Sequence, residues 1–318
     1  MKTLRDIGEN RLLQKILPRL PQRPDTPVGP GDDCAVVRVA ASPDDWLFTT
    51  DPVIERRHFL AKTPPRLVGR KAIARAVSDI AAMGGEPLWI LINLVAPGST
   101  SLARIQHLYD GMTAAARLWH LGILGGDTAE GDTLELHITA IGRVPRGQAV
   151  LRSGARARDH LYVTGHLGGA YLPGNRHHLL FEPRIQAGRF LSEQRFATAM
   201  MDLSDGLATD LPRLLDASKR GAQIHAAAIP FSSAARKTGD PLRHALCDGE
   251  DFELLFTVAP KNRIRFEDEW KRVFPRLPAT RIGVILGNPR QRVLRLPDGT
   301  TTPLRNGGYQ HFLKRKSP

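Results

Sequence analysis

A chain of 318 residues, 42% of them hydrophobic, is long enough for two domains with a core each. Its net charge of +13 raises nucleic acid as a partner, but the basic residues are scattered, the densest run is Lys314-Arg315-Lys316, and no aromatic residues interleave with a basic stripe. The opening Met1-Lys2-Thr3-Leu4-Arg5-Asp6 lacks a secretory apolar core, Pro87 to Val95 is too short to span a bilayer, and Cys34 and Cys247 form neither a disulfide framework nor a zinc spacing, so the expected compartment is the cytoplasm.

The first predicted element is a helix around Leu12 to Leu17, followed by an extended Pro-rich stretch from Pro18 to Pro30. Ala35 to Val39 and Trp46 to Thr50 read as strands with polar ends: Asp32 and Asp33 precede the first and Asp51 follows the second. Between Pro65 and Met83, Ile73, Val77, Ile80 and Ala81 keep helical spacing while Asp79 falls on another face. A second helix is predicted over Ser101 to Trp119, with Leu102, Ile105, Leu108, Tyr109, Met112 and Trp119 as its core stripe. Strands at Leu88 to Val95 and Leu134 to Val144 complete an alternating α/β half.

The second half restarts with a strand at His160 to Thr164, after the basic loop Arg152 to Arg156. A helix is predicted from Asp205 to Ser218, capped by Ser204 or Asp205, with Leu207, Leu211, Leu214 and Leu215 on one face. Strands at Phe252 to Val258 and Arg281 to Ile285 point to a second α/β domain. The expected division is therefore 1–148 and 149–318.

No phosphate-binding Gly-x-x-x-x-Gly-Lys-Ser/Thr loop, protein-kinase Gly-rich loop, His-Glu-x-x-His pair or Gly-x-Ser-x-Gly elbow is present in the sequence. What stands out instead is a series of Asp-rich segments beside small residues: Gly31-Asp32-Asp33, Thr49-Thr50-Asp51, Ser78-Asp79, Gly125-Gly126-Asp127-Thr128, Asp202-Leu203-Ser204-Asp205 and Asp248-Gly249-Glu250-Asp251. Turns and helix caps use the same residues singly. As a set in a basic protein they suggest hard-cation ligands, because Mg²⁺ takes oxygen donors and leaves room for water and phosphate. An extended Asp202-Leu203-Ser204 would turn Asp202 and Ser204 to one side, and Gly125-Gly126 would let backbone amides approach a phosphate beside Asp127. This chemistry fits Mg-dependent phosphoryl transfer.

In order, these segments resemble the thiamine-monophosphate kinase family of the aminoimidazole ribonucleotide synthetase-like superfamily. The resemblance extends through His58-Phe59, Ser78-Asp79-Ile80-Ala81-Ala82-Met83-Gly84, Arg152-Ser153-Gly154-Ala155, Gly249-Glu250-Asp251-Phe252-Glu253-Leu254 and Gly308-Tyr309-Gln310-His311-Phe312. It implies a two-domain α/β (α+β) fold, ATP-dependent phosphorylation of thiamine monophosphate to thiamine diphosphate, several Mg²⁺ ions, and a homodimer paired through its N-terminal domains with ATP near the interface. By analogy Asp33, Thr49, Thr50, Asp51, Asp79, Asp127, Asp202 and Asp205 would hold metal, and Asp51, Asp202 and Asp205 would position the transfer without a general base. Gly126, Asp127, Arg152 and Ser204 would contact ATP, while His58, Glu250 and Tyr309 would contact the thiamine phosphate. In that role Glu250 would face the cationic thiamine head and Tyr309 would stack on one of its rings.

The chain departs from the family pattern at Arg56-Arg57, at Asp248 and in the short basic segment Gly168 to His178. An enzyme of the same superfamily acting on another anionic acceptor is therefore the alternative, ahead of a nucleic-acid-binding protein. No Cys precedes Gly31, which argues against the selenophosphate synthetase branch.

Overall fold

Alternating burial along long antiparallel strands builds the first sheet, in the order β1-β2-β5-β3-β4: β1 (Ala35–Arg38), β2 (Asp44–Ile54), β3 (Glu86–Ala96), β4 (Gly122–Glu130) and β5 (Glu135–Pro145). Only β3 and β4 run parallel. The computed structural model describes residues 2–305, 307–309 and 311–312; Gln310 of the Gly308–Phe312 motif and the Lys314–Lys316 run lie outside them. One face of this sheet is covered by α2 (Pro65–Ala82) and α3 (Leu102–Leu118), whose Ile73, Val77, Ile80, Leu108 and Met112 pack with Leu47, Val53, Ile90, Ile92 and Ile138. The other face is open and carries Phe48, Trp89, Leu91 and, from the bulge in β4, Leu124, which is 57% exposed.

Seven strands form the second sheet in the order β12-β11-β8-β10-β6-β9-β7: β6 (His160–Thr164), β7 (Ala197–Asp202), β8 (Gly221–His225), β9 (Leu254–Val258), β10 (Ala279–Leu286), β11 (Arg292–Arg295) and β12 (Thr301–Pro303). Helices α5 (Ile185–Glu193), α6 (Leu207–Ser218), α7 (Pro241–Cys247) and α8 (Arg263–Val273) pack around it, and one turn, α4 (His177–Leu180), precedes α5. The buried leucines of α6 are those expected: Leu207, Leu211, Leu214 and Leu215. Helix α2 also touches α4, α5 and β7, so it is the element on which both halves meet. Gly188 of α5 permits that approach, since a Cβ there would lie 2.0 Å from the Ala81 carbonyl oxygen.

Several expectations need correction. The first helix, α1, runs Leu4–Ile16 with a break at Gly8, longer than the Leu12 to Leu17 pattern. Asp51 lies within β2, not after it, because the strand continues to Ile54. Leu102 is 71% exposed in the first turn of α3 and is not core. Helix α6 starts after Gly206, which occupies the cap position in place of Ser204 or Asp205; instead the buried Asp210 carboxylate accepts from the Asp205 backbone N–H at 2.9 Å.

Candidate active site

Three aspartates from separate places in the sequence converge where the halves meet. Asp33 precedes β1, Asp79 lies near the end of α2, Asp202 ends β7, and each offers a carboxylate oxygen within 4.8 Å of the others. Hydroxyls hold two of them: Thr49 on β2 donates to Asp79 and Ser78 on α2 donates to Asp202, both at 2.6 Å. Arg152, in the loop joining β5 to β6, reaches Asp33 at 2.7 Å, and its backbone N–H donates to Asp32. Burial together with the neighbouring Asp33 charge pushes the Asp202 carboxyl up to about 7, while burial and Asp202 push Asp79 well above the ordinary carboxylate range. Three crowded oxygen donors whose charges oppose one another suit a hard divalent cation, which takes carboxylate oxygens and keeps several waters.

A second cluster adjoins the first through α2. Lys71, Arg75, Ser78 and Asp79 follow one another at helical spacing, so one side of the helix carries four polar groups into the interior. Arg75 donates from Nε and one terminal nitrogen to the two Asp51 oxygens at 2.8 and 3.0 Å, and from the other to Glu250 at 2.6 Å. The fully buried Lys71 lies 2.5 Å from the second Glu250 oxygen and donates to the His58 carbonyl at 2.8 Å. Burial would raise Glu250, but the Lys71 and Arg75 charges prevail and hold it below the usual range. Glu250, expected to face a cationic ligand, is thus already engaged by two cations of its own chain. Tyr171 and His178 flank Lys71, with their rings 4.4 Å apart.

His58 is buried and its Nδ1 accepts from the Ile54 backbone N–H at 2.9 Å. Burial, then the Arg75 charge, push it down to about 4, which leaves a neutral ring with its proton on Nε2. His311 stands 6.3 Å from the His58 ring and edge-on to Tyr309 at 4.9 Å, and the Tyr309 backbone N–H donates to the Asp205 carbonyl at 3.2 Å. The segment carrying Tyr309 therefore returns to the region of His58.

Two other expected ligands, Thr50 and Asp127, lie apart from the trio within one chain. Thr50 follows Thr49 in β2, so strand alternation turns it to the open face, where Thr139 donates to it at 3.4 Å. Asp127 on β4 is in register with Asn93, His137 and Pro52, which places it on that open face too, three strands from β2 or roughly 14 Å. Its neighbour Gly126 admits no side chain, because a Cβ there would fall 1.7 Å from the Ile92 carbonyl oxygen. Asp205 is paired with Arg213 at 2.7 Å, and the Ser204 carbonyl accepts the Glu250 backbone N–H at 2.7 Å. Lys71, Arg75 and Ser78 were missed as functional candidates; their spacing with Asp79 on a single helix side was the available signal.

Residues 31–144 match the family model AIR synthase related protein, N-terminal domain, and residues 171–295 match AIR synthase related protein, C-terminal domain. Fold and site together therefore define a protein of the AIR synthase-related class. The chain is 33% identical to the thiamine-monophosphate kinase of Bacillus subtilis, over 96% of this chain and 100% of that protein. It is 34% identical to that of Escherichia coli K12, over 96% and 98% of the two. Among solved structures, AaThiL complexed with AMPPCP and TMP aligns with a TM-score of 0.82 at 29% identity, over 98% of this chain and 99% of that one. This chain belongs to the thiamine-monophosphate kinase family.

Proposed function

We propose that this enzyme transfers the γ-phosphoryl group of ATP directly to the phosphate of thiamine monophosphate, giving thiamine diphosphate. The observation that carries the reading is the convergence of Asp33, Asp79 and Asp202, in a chain that matches thiamine-monophosphate kinases over nearly its whole length. Those carboxylates would hold Mg²⁺, with Thr49 and Ser78 fixing their orientation. Asp51 can join them while paired to Arg75, because an ionised carboxylate offers about four lone-pair sites. Magnesium, when bound, neutralises phosphate charge and aligns donor with acceptor.

The chain's own residues then have limited tasks. A phosphate monoester has a second pKa near ~6, so at neutral pH it already carries a nucleophilic oxygen and needs no general base. Neutral His58, half-buried Tyr309 and the Lys71-held Glu250 would shape the pocket for the thiamine end. Arg152 and Ser204 would meet ATP together with Gly126 and Asp127, and Asp205 would reach a further metal.

In this reading residues 1–148 form the nucleotide, metal and dimerisation domain and residues 149–318 complete the acceptor site. The open face of the first sheet supports a homodimer: its apolar Phe48, Trp89, Leu91 and Leu124 sit among Thr50 and Asp127. A second copy on that face would add its own Gly126-Asp127 pair to a nucleotide bound near the interface. No helix among the described residues is long and apolar enough to cross a membrane, and two free cysteines fit the reducing cytoplasm in which we place the enzyme.

ADP release with Mg-ATP and a panel of phosphate monoesters tests the acceptor. Release that depends on thiamine monophosphate is expected. Release with a different monoester, and none with thiamine monophosphate, would overturn the reading in favour of another acceptor.

A further inference from the structure

We infer that Arg75 binds the phosphate of the acceptor, at the junction between the carboxylate trio and the Glu250–His58–Tyr309 cluster. The inference rests on the proposed function and names a specificity-determining residue within it. Arg75 is only 12% exposed and is fixed on three sides: by Asp51, by Glu250, and by Phe252, whose ring centre lies 5.4 Å from the guanidinium carbon. A guanidinium has five N–H donors, and Asp51 and Glu250 take three of them, leaving two. Asp51 is close enough to the trio for its charge to act on both Asp79 and Asp202.

The position follows from the shape of the reaction. The acceptor's phosphate must point toward the metal-binding carboxylates and its organic end toward Glu250, so the phosphate falls where Arg75 bridges the two. A planar, permanently charged fork suits a phosphate with several acceptor oxygens. Lys71 does not compete for this role, because Glu250, the His58 carbonyl and His178 already surround its ammonium. Lys71 is a positioning residue, whereas Arg75 retains donors for a ligand.

The test compares two ligands that differ only by the phosphate. For the full-length wild type, Arg75→Lys and Arg75→Gln, one measures the KM for thiamine monophosphate and the inhibition constant of thiamine against it, both with saturating Mg-ATP. Thermal melts confirm folding, and the Gln variant, which keeps two N–H donors without the charge, serves if the Lys variant does not fold. Arg75→Lys is expected to raise the KM for thiamine monophosphate at least about tenfold while thiamine inhibition changes by less than about threefold. An equal change for both ligands, or for neither, would reduce Arg75 to a structural tie and overturn the inference while wild-type turnover leaves the function standing. Absence of thiamine diphosphate from the wild type would overturn the functional reading and this inference with it.

Discussion

The Ser78 hydroxyl on α2 donates to Asp202 at the end of β7, 2.6 Å away and 124 positions later in the chain. One short bond thus fastens the first half's central helix to a carboxylate supplied by the second. Ser78→Ala leaves that buried carboxylate short of a donor and is expected to cost about 1–3 kcal/mol in denaturant unfolding. A change within experimental scatter would mean that the bond does not hold the two halves together.

Crowding in the trio predicts a metal-dependent stability. In metal-free protein Asp79→Asn should melt above wild type, because it removes a carboxyl whose ionisation burial and Asp202 disfavour. Added Mg²⁺ should raise the wild-type melting temperature, by about 2.7 kcal/mol of stabilisation at a hundred times the dissociation constant, and leave Asp79→Asn nearly unmoved. Equal Mg²⁺ responses in both proteins would exclude the trio as the principal metal site.

His58 sets the sign of one acid effect. Its folded value near 4 lies below the ordinary 6.5, so the unfolded chain takes up a proton first as pH falls. Its contribution to stability is complete above about 6.5 and disappears between there and about 4; His178, also pushed down to about 4 by burial and Lys71, adds to the same window. His58→Gln should flatten the loss of stability between pH 6.5 and 4, measured by urea unfolding. An unchanged slope would contradict a buried neutral His58.

The open sheet face should pair two copies. Leu124→Asp or Trp89→Glu introduces a charge on that face without touching the core beneath α2 and should shift sedimentation from dimer to monomer. A wild type that sediments as a monomer at micromolar concentration would contradict the dimer.

Much of this site is legible in the sequence. Helix α2 matches its predicted span because a long apolar stripe has few alternatives, and the Asp-rich segments marked all three members of the trio. Strand β4 was not read, since Gly-Gly-Asp-Thr breaks any apolar alternation and the two β-branched residues of the strand, Ile123 and Thr128, are too few to offset its glycines; its strand geometry comes from pairing with β3. Thr50 and Asp127 joined the trio in the ligand set only by analogy with the family; the sheet face each occupies, the open one, depends on strand register that the sequence does not display. Arg75 was missed for another reason: its spacing with Asp79 was a signal, but a charged residue on an amphipathic helix normally faces water, and the partner that buries this one, Glu250, lies 175 positions away.

The most direct test is chromatographic detection of thiamine diphosphate after wild-type protein and Asp202→Asn are each incubated with Mg-ATP and thiamine monophosphate, beside a wild-type sample without magnesium. The account predicts product from the wild type with magnesium and none from the other two. Product from Asp202→Asn at the wild-type rate, or from the sample without magnesium, would contradict a metal centre built on the trio, and no product from the wild type would contradict the activity itself.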